Sequence, residues 1–211
     1  MALAEQTAGF VIVKGTLGDL HRSQPAAVFD LDGVIFDSSE RFRKSLEEAG
    51  VSEDEFWNDP KKRARVWSIF LSDKYISLDR IIPEALGHIT RARMLGMGIV
   101  ILTGRPAKMI SKTLEMLNRY NVDFNIAIFR SDNNKSKDRD YKLNVLKTLN
   151  IDVREIHDDV DDIVISAVDL FRNATGYIWS DGRVVKTITF QPPSRSSKQS
   201  SPSKNVYASS I

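Results

Sequence analysis

The stretch "AAVFDLDGVIFDSS", Ala26 to Ser39, runs from an apolar segment into two aspartates one residue apart, Asp30 and Asp32, with Gly33 directly after them. Ala26 to Phe29 has the length and character of a strand buried on both faces. A buried strand that ends in paired negative charge needs a compensating cation, and the rest of the chain has to supply the place for one.

Apolar runs recur further along, at Gly98–Leu102, Phe124–Phe129, Val153–His157 and Gly176–Trp179, after an N-terminal strand candidate at Phe10–Val13. Between them lie helical patterns: Ile110, Leu114 and Leu117 share one face, as do Ile163, Ala167 and Leu170. Strand and helix in alternation predict an α/β, Rossmann-like domain with a mainly parallel sheet and helices on both faces. Asp181-Gly182, between two strand-like runs, predicts a C-terminal hairpin. Ser39 to Ala92 reads as largely helical, with a stop at Gly50, a capping box at Ser52 and Glu55, and a helix opened by Pro83. The expected division is an N-terminal extension with a strand (1–24), a main domain (25–190) with a small helical cap at about 38–80, and a disordered Ser/Pro/Lys tail (191–211).

The composition, 42% hydrophobic and 27% charged in 211 residues, belongs to a globular chain with one principal core. No apolar run approaches the roughly 20 residues of a bilayer span, so no membrane partner is expected. The N-terminus lacks a basic start followed by a sustained apolar stretch, and cysteine is absent. Both point to the cytoplasm as the default compartment. The slight basic excess, a formal charge of +2, resides in the tail, where Arg195, Lys198 and Lys204 meet no acid. The tail reads as a solvated extension, with an electrostatic tether for an acidic partner as its alternative.

Four polar elements follow four of the strands in order. Asp30 and Asp32 follow the first, and "LTGRP" with Thr103 and Gly104 follows the second. Lys142 opens the helix of "DRDYKLNVL", and Asp158 to Asp162 follow the fourth in "IHDDVDD". In parallel α/β sheets such strand ends collect ligands. Carboxylates converging there repel one another unless a cation neutralises them, and an oxygen-only donor set suits a hard ion such as Mg²⁺, which also accepts substrate phosphate. Each element alone has a plainer reading: helix N-terminal acids for Asp158–Asp162, a loop for Thr103-Gly104, a surface lysine for Lys142. Lys142 lies one helical turn before Leu146, on the stripe that should face inward.

Together, "FDLDGV", "LTGR", the lysine of "DYKLNVL" and "HDDVDDI" resemble the four ordered motifs of the haloacid dehalogenase-like superfamily, most of whose members are phosphatases. The resemblance covers about residues 25–179, with His157 standing where the fourth motif usually has glycine. It implies Asp30 as a nucleophile forming an aspartyl-phosphate and Asp32 as the acid and then the base. Mg²⁺ would be held by Asp30, the Asp32 carbonyl and Asp158, and phosphate by Thr103, Gly104 and Lys142. Thr103 would work beside a helix with Pro106 in its first turn. Asp158 and Asp162 match the fourth motif's two acids, and whether Asp159 or Asp162 also supports the metal stays open. Asp32 argues against a dehalogenase, and Lys61 and Lys62 read as a solvated face rather than as Schiff-base lysines; a phosphomutase stays open.

The short insert, crowded with Phe56, Trp57, Trp67, Phe70 and Tyr75 beside "KKRAR" at Lys61–Arg65, reads first as an aromatic mini-core under a basic helix. As an open wall of the site it would suit stacking and a phosphate chain. The run "FRSDNNKSKDRDYKLNVL" with "IHDDVDD" is similar to the phosphatase domains of polynucleotide kinase-phosphatases. A nucleotide or nucleic-acid 3′-phosphate end therefore ranks above a sugar phosphate or other small metabolite. A non-catalytic phosphate-binding module is the reading from another class, and the oligomeric state is not legible.

Overall fold

Strand β3, Pro25–Phe29, is the centre of the structure, and its pleat explains why its sequence is apolar throughout. Ala27 and Phe29 enter one core with Ala85, Ile89, Met116 and Leu117. Ala26 and Val28 enter a second core with Tyr141, Val145, Val164 and Ala167. Alternate side chains of one strand thus serve two helical layers, as period-two geometry requires.

The computed structural model describes residues 4–6, 9–21 and 24–192. In chain order the elements are β1 (Ala4–Gln6), β2 (Phe10–Lys14), β3, β4 (Phe36–Asp37), α1 (Ser39–Ala49), α2 (Glu53–Asn58), α3 (Pro60–Phe70), β5 (Arg80–Ile81), α4 (Pro83–Met94) and β6 (Gly98–Pro106). There follow α5 (Ile110–Arg119), β7 (Ile126–Arg130), α6 (Asp138–Leu149), β8 (Asp152–Asp158), α7 (Asp161–Leu170), β9 (Thr175–Ser180) and β10 (Arg183–Thr189). The main sheet has the order β1-β2-β7-β6-β3-β8-β9-β10. The five strands β7-β6-β3-β8-β9 are parallel, and β2 and β10 pair antiparallel at the two sides. The N-terminal strand therefore extends the sheet and does not stand apart from it. The expected tail lies, from residue 193 on, outside the described residues.

From β3 the chain builds outward through β6 and β7, then returns across β3 to place β8 on its other side. That reversal puts the carboxyl ends of β3 and β8 next to each other, the usual place for a ligand in such sheets. The register pairs Phe29 with His157, and the Asp30 N–H donates to the His157 carbonyl at 2.9 Å.

Strand β6 runs further than its apolar run suggests, through Thr103 to Pro106, with an irregular register against β7 between those two residues. Pro106 is extended (φ −71°, ψ 157°) and is followed by a 3₁₀ turn, Ala107–Met109, before α5 begins. It is not in the first turn of the helix, as expected. Its fixed φ suits an extended residue equally well, and its missing N–H costs little at a strand's end.

The insert leaves and rejoins the sheet through a two-stranded ribbon in which Phe36 pairs with Ile81 and Asp37 with Arg80. Its helices close on a small core of Ala49, Val51, Phe56 and Val66, with Phe42 and Leu46 against it. The local signals act as expected: Gly50 ends α1 with φ 61°, and Ser52 and Glu55 form a reciprocal capping box. At the other end of the chain, Asp181 and Gly182 both take positive φ, 51° and 74°, and turn β9 into β10.

Candidate active site

The carboxyl ends of β3, β6 and β8, with the insert and the C-terminal hairpin, enclose an open cavity of about 1340 Å³. Asp30 and Asp32 line it at the end of β3, Gly104 and Arg105 at the end of β6, and Trp67 belongs to its wall from the insert. After Asp30 the chain turns sharply, with the Leu31 carbonyl accepting the N–H groups of Val34, Ile35 and Phe36. Gly33 in that turn has φ 79°, and a Cβ there would fall 2.6 Å from Asp159 Oδ2. The glycine is thus required both by conformation and by the approach of the neighbouring strand end.

Lys142, on α6, is buried and binds three carboxylates: Asp158 at 2.7 Å, Asp30 at 3.1 Å and Asp138 at 3.3 Å. Burial would lower its pKa, but the Asp158, Asp30 and Asp138 charges outweigh this and hold it well above the ordinary range. Asp30 is pushed well up by burial, against the pull of Lys142. Asp158 is raised by burial too, although Lys142 and the Val160 N–H favour its charged form. One ammonium therefore does not balance the carboxylates around it.

A ligating oxygen from each of Asp30, Asp158 and Asp159 lies within 4.8 Å of the other two. Asp30 Oδ1 is buried without a hydrogen-bond partner in the structure. An orphaned carboxylate oxygen in an all-oxygen group is what a hard divalent cation would satisfy, so the residues fit magnesium. The third carboxylate is Asp159, whose pKa is raised by burial first and then by the neighbouring Asp158 and Asp32 charges. Asp162, matched in sequence to the second acid of the fourth motif, instead pairs with Arg139 at 3.1 Å on the surface.

Asp32 belongs to a second network that sequence reading did not find. Arg105 donates to it through Nε at 3.0 Å and Nη2 at 2.6 Å, and Arg41 reaches the same carboxylate from α1. Both guanidiniums also meet Asp79, at 2.6 Å from Arg105 and 3.0 Å from Arg41. Burial alone would raise Asp32, but Arg105 and Arg41 overcome it and hold the carboxyl far below the usual range. Asp79, more deeply enclosed, is pushed up to about 6 by burial despite the same two arginines. Signals for this network exist in the sequence. Arg105 is the arginine of "LTGRP", and Arg41 shares an i, i+4, i+8 buried stripe with Ser45 and Ala49.

The remaining expected residues separate. Thr103 is buried, and its hydroxyl accepts the Arg105 N–H at 3.1 Å. Gly104 lines the cavity, where a Cβ would come within 2.7 Å of Asp138 Oδ1. Lys61–Arg65 line no part of the cavity: Lys62 pairs with Glu55, and Arg63 donates to the Trp57 carbonyl at 3.2 Å. Charge on the walls comes instead from Arg80 and Arg130. Phe42, Trp67 and Phe70 face the cavity, whereas Trp57 points outward and Tyr75 binds Glu48 at 2.7 Å. His157 is a packing residue, stacked between Phe29 (4.2 Å) and Tyr177 (4.4 Å), with Nδ1 accepting the Trp179 indole N–H at 3.2 Å. Burial lowers its pKa to about 4, so the ring is neutral at physiological pH.

No protein-family model and no curated protein matches the chain. Solved structures do. A chain of the Pnkp1/Rnl/Hen1 RNA repair complex superimposes with a TM-score of 0.56 at 17% identity, covering 77% of this chain and 45% of that one. A second Pnkp1/Rnl/Hen1 complex gives 0.51 at 20% identity, over 73% and 44%. A putative HAD-like phosphatase from Mesorhizobium loti gives 0.49 at 14%, over 82% and 81%. The chain spans less than half the length of the two repair-complex chains. The likeness to the two repair-complex chains is one of fold, and the architecture is the α/β, mainly parallel sheet expected from the sequence. Among the described residues no helix is long and apolar enough to cross a membrane.

Proposed function

We propose that the chain is a Mg²⁺-dependent phosphomonoester hydrolase that works through an aspartyl-phosphate on Asp30. The observation that carries this reading is the Asp30 carboxylate itself. It is buried at the cavity floor, 3.1 Å from Lys142, and one of its oxygens has no partner. Magnesium would be held by Asp30, Asp158 and the Asp32 carbonyl, with Asp159 beside them, and when bound would offset negative charge shared by substrate and carboxylates. Asp30 would attack phosphorus, and the ester oxygen would leave with a proton from Asp32. Water would then attack the aspartyl-phosphate, giving its proton back to Asp32 and releasing phosphate and free Asp30. Lys142 contributes fixed positive charge where the transition state concentrates negative charge. The two arginines keep Asp32 ionised before substrate arrives, which is its state as base. The proton for its first role would be the substrate's own, carried in by the monoanion of a phosphomonoester whose second pKa is near 6 and passed across Asp32 to the ester oxygen as the P–O bond breaks, so that Asp32 does not hold it at rest.

A cavity of about 1340 Å³, open and faced by Phe42 and Trp67, is wider than a small sugar phosphate needs. It supports a nucleotide or a nucleic-acid 3′-phosphate end over a sugar phosphate. The test is turnover of an aryl phosphate with Mg²⁺, with EDTA, and by Asp30→Asn. Activity should need the metal and fall by orders of magnitude in the variant without loss of thermal stability. Metal-independent turnover, or an active Asp30→Asn, defeats the reading.

A further inference from the structure

Beside the catalytic cavity lies a second cleft, of about 450 Å³, and the two share Trp67, Leu71, Gly104 and Arg130 in their walls. The smaller cleft therefore adjoins the cavity at the end of β6. Its remaining wall includes Lys108, after β6, and Lys135, in the loop between β7 and α6. Both lysines are exposed, and neither is ion-paired among the described residues. Arg130 adds no free charge, because it is held by Asp138 and by the Ser136 carbonyl at 3.1 Å. Asp132 is the one carboxylate in the wall, and its Oδ1 already accepts the Lys108 backbone N–H at 3.2 Å. Two lysines without an ion-pair partner among the described residues thus share this wall with one carboxylate, in a recess that shares four wall residues with the cavity.

Trp67 stands at the junction. One side packs against Phe70 (ring centroids 5.1 Å apart) and Phe56 (5.6 Å), and the residue is still 38% exposed. The insert core thus holds an indole in place while leaving part of it to both recesses. Exposed lysines are common and alone mean nothing. Here they lie in a recess continuous with the cavity, unlike the denser basic run at Lys61–Arg65, which lines neither recess.

We propose that this cleft is a second subsite, in which Lys108 and Lys135 hold the phosphodiester next to the scissile terminal phosphate and Trp67 stacks a base between the two. The proposal rests on the phosphomonoesterase reading of the adjoining cavity. It narrows the substrate to an oligonucleotide end of at least two nucleotides and excludes a lone mononucleotide as the preferred one. Stacking of one base and contact with one further phosphate are both sequence-tolerant, so the end and not the sequence is selected.

The experiment compares kcat/KM on a 3′-phosphorylated hexanucleotide, the same hexamer abasic at its 3′-terminal position, a 3′-mononucleotide and a sugar bisphosphate. The proteins are the wild type, Lys108→Ala/Lys135→Ala, Trp67→Leu and, as a control, Lys61→Ala. The wild type and the control should favour the hexamer over the mononucleotide by at least tenfold. That ratio should collapse toward one in the double variant, and the salt dependence of hexamer turnover should become shallower. Trp67→Leu keeps apolar bulk in the insert core and should erase the difference between intact and abasic hexamers. A bisphosphate as good as the hexamer would mean that a second phosphate without a strand suffices, and would overturn the nucleic-acid assignment. An unchanged ratio in the double variant would overturn the subsite. Anisotropy of a labelled hexamer in the Asp30→Asn background with Mg²⁺ separates the two readings. Affinity should fall at least tenfold on adding the lysine substitutions. Such a fall without turnover of any ester by the wild type would refute the hydrolase and keep the subsite, whereas turnover with unaltered affinity would do the reverse.

Discussion

Replacing Arg105 by methionine keeps side-chain length and removes the guanidinium that donates to Asp32 twice, to Asp79 at 2.6 Å and to Thr113 at 3.2 Å. Arg41 is then alone against two carboxylates, which leaves one buried negative charge in excess. That charge can stay unpaired, at about 3–5 kcal/mol for a broken buried pair. Alternatively Asp79 can take up a proton. Holding a carboxyl of ordinary pKa 3.8 protonated at pH 7.5 costs about 5 kcal/mol, of which the wild type, with Asp79 already at about 6, bears about 3, so this route adds about 2 kcal/mol. The two routes part company with pH. A carboxyl raised in the folded state costs stability above its folded pKa, and the cost is relieved as pH falls from that value toward the unfolded one. By pH 5.5 the protonated route costs about 2 kcal/mol, whereas wild-type Asp79, at about 6, gains only about 1 kcal/mol over the same interval. The variant should therefore melt roughly 4–20 °C below the wild type at pH 7.5. Its deficit should shrink by about 2 kcal/mol at pH 5.5. Thermal unfolding followed by circular dichroism at the two pH values reads both. An unaltered melting temperature at pH 7.5, or a deficit equal at both pH values, would refute the charge balance drawn for this cluster.

Asp32→Asn should lose more on an alkyl phosphate than on an aryl phosphate, since an aryl oxide leaves without a proton; equal losses in kcat/KM on the two would remove Asp32 from leaving-group protonation. Lys142→Met should lose both turnover and stability, because Asp30, Asp158 and Asp138 are left without their shared cation, and part of the stability should return with millimolar Mg²⁺ in a thermal melt. Gly104→Ala forces a methyl to within 2.7 Å of Asp138, so turnover should fall at least tenfold with little change in melting temperature; an active variant would show that this loop has room to move.

The parallel sheet and its strand ends were legible because β3, β6 and β8 are buried on both faces, which leaves their apolar runs unbroken up to the polar residues that follow. Lys142 was legible for the same reason, its place one turn before Leu146 on a buried stripe. Arg41 and Asp79 were not. They lie far apart in sequence within the insert, and only the ribbon of β4 and β5 brings them under Asp32. Pro106 misled because its fixed φ belongs equally to a helix start and to an extended strand end. The "HDDVDD" run was ambiguous by one turn. Residue spacing matched Asp162 to the motif, but α7 begins at Asp161 and carries Asp162 outward, leaving Asp159 in the turn beside Asp158. The basic run at Lys61–Arg65 was conspicuous in sequence and faces away from the cavity, because α3 turns Val66 and Phe70 inward.

The seam between the insert and the sheet is electrically even on each side. The sheet contributes Asp32 and Arg105, the insert contributes Arg41 and Asp79, and each half carries one charge of either sign. A lineage could thus lengthen, trim or lose everything between β4 and β5 without stranding a buried charge on what remains. Subtracting only one member of a half would do so at once. In evolutionary terms the insert is exchangeable as a unit and resistant to piecemeal erosion, with the four charged groups marking where a graft must be cut.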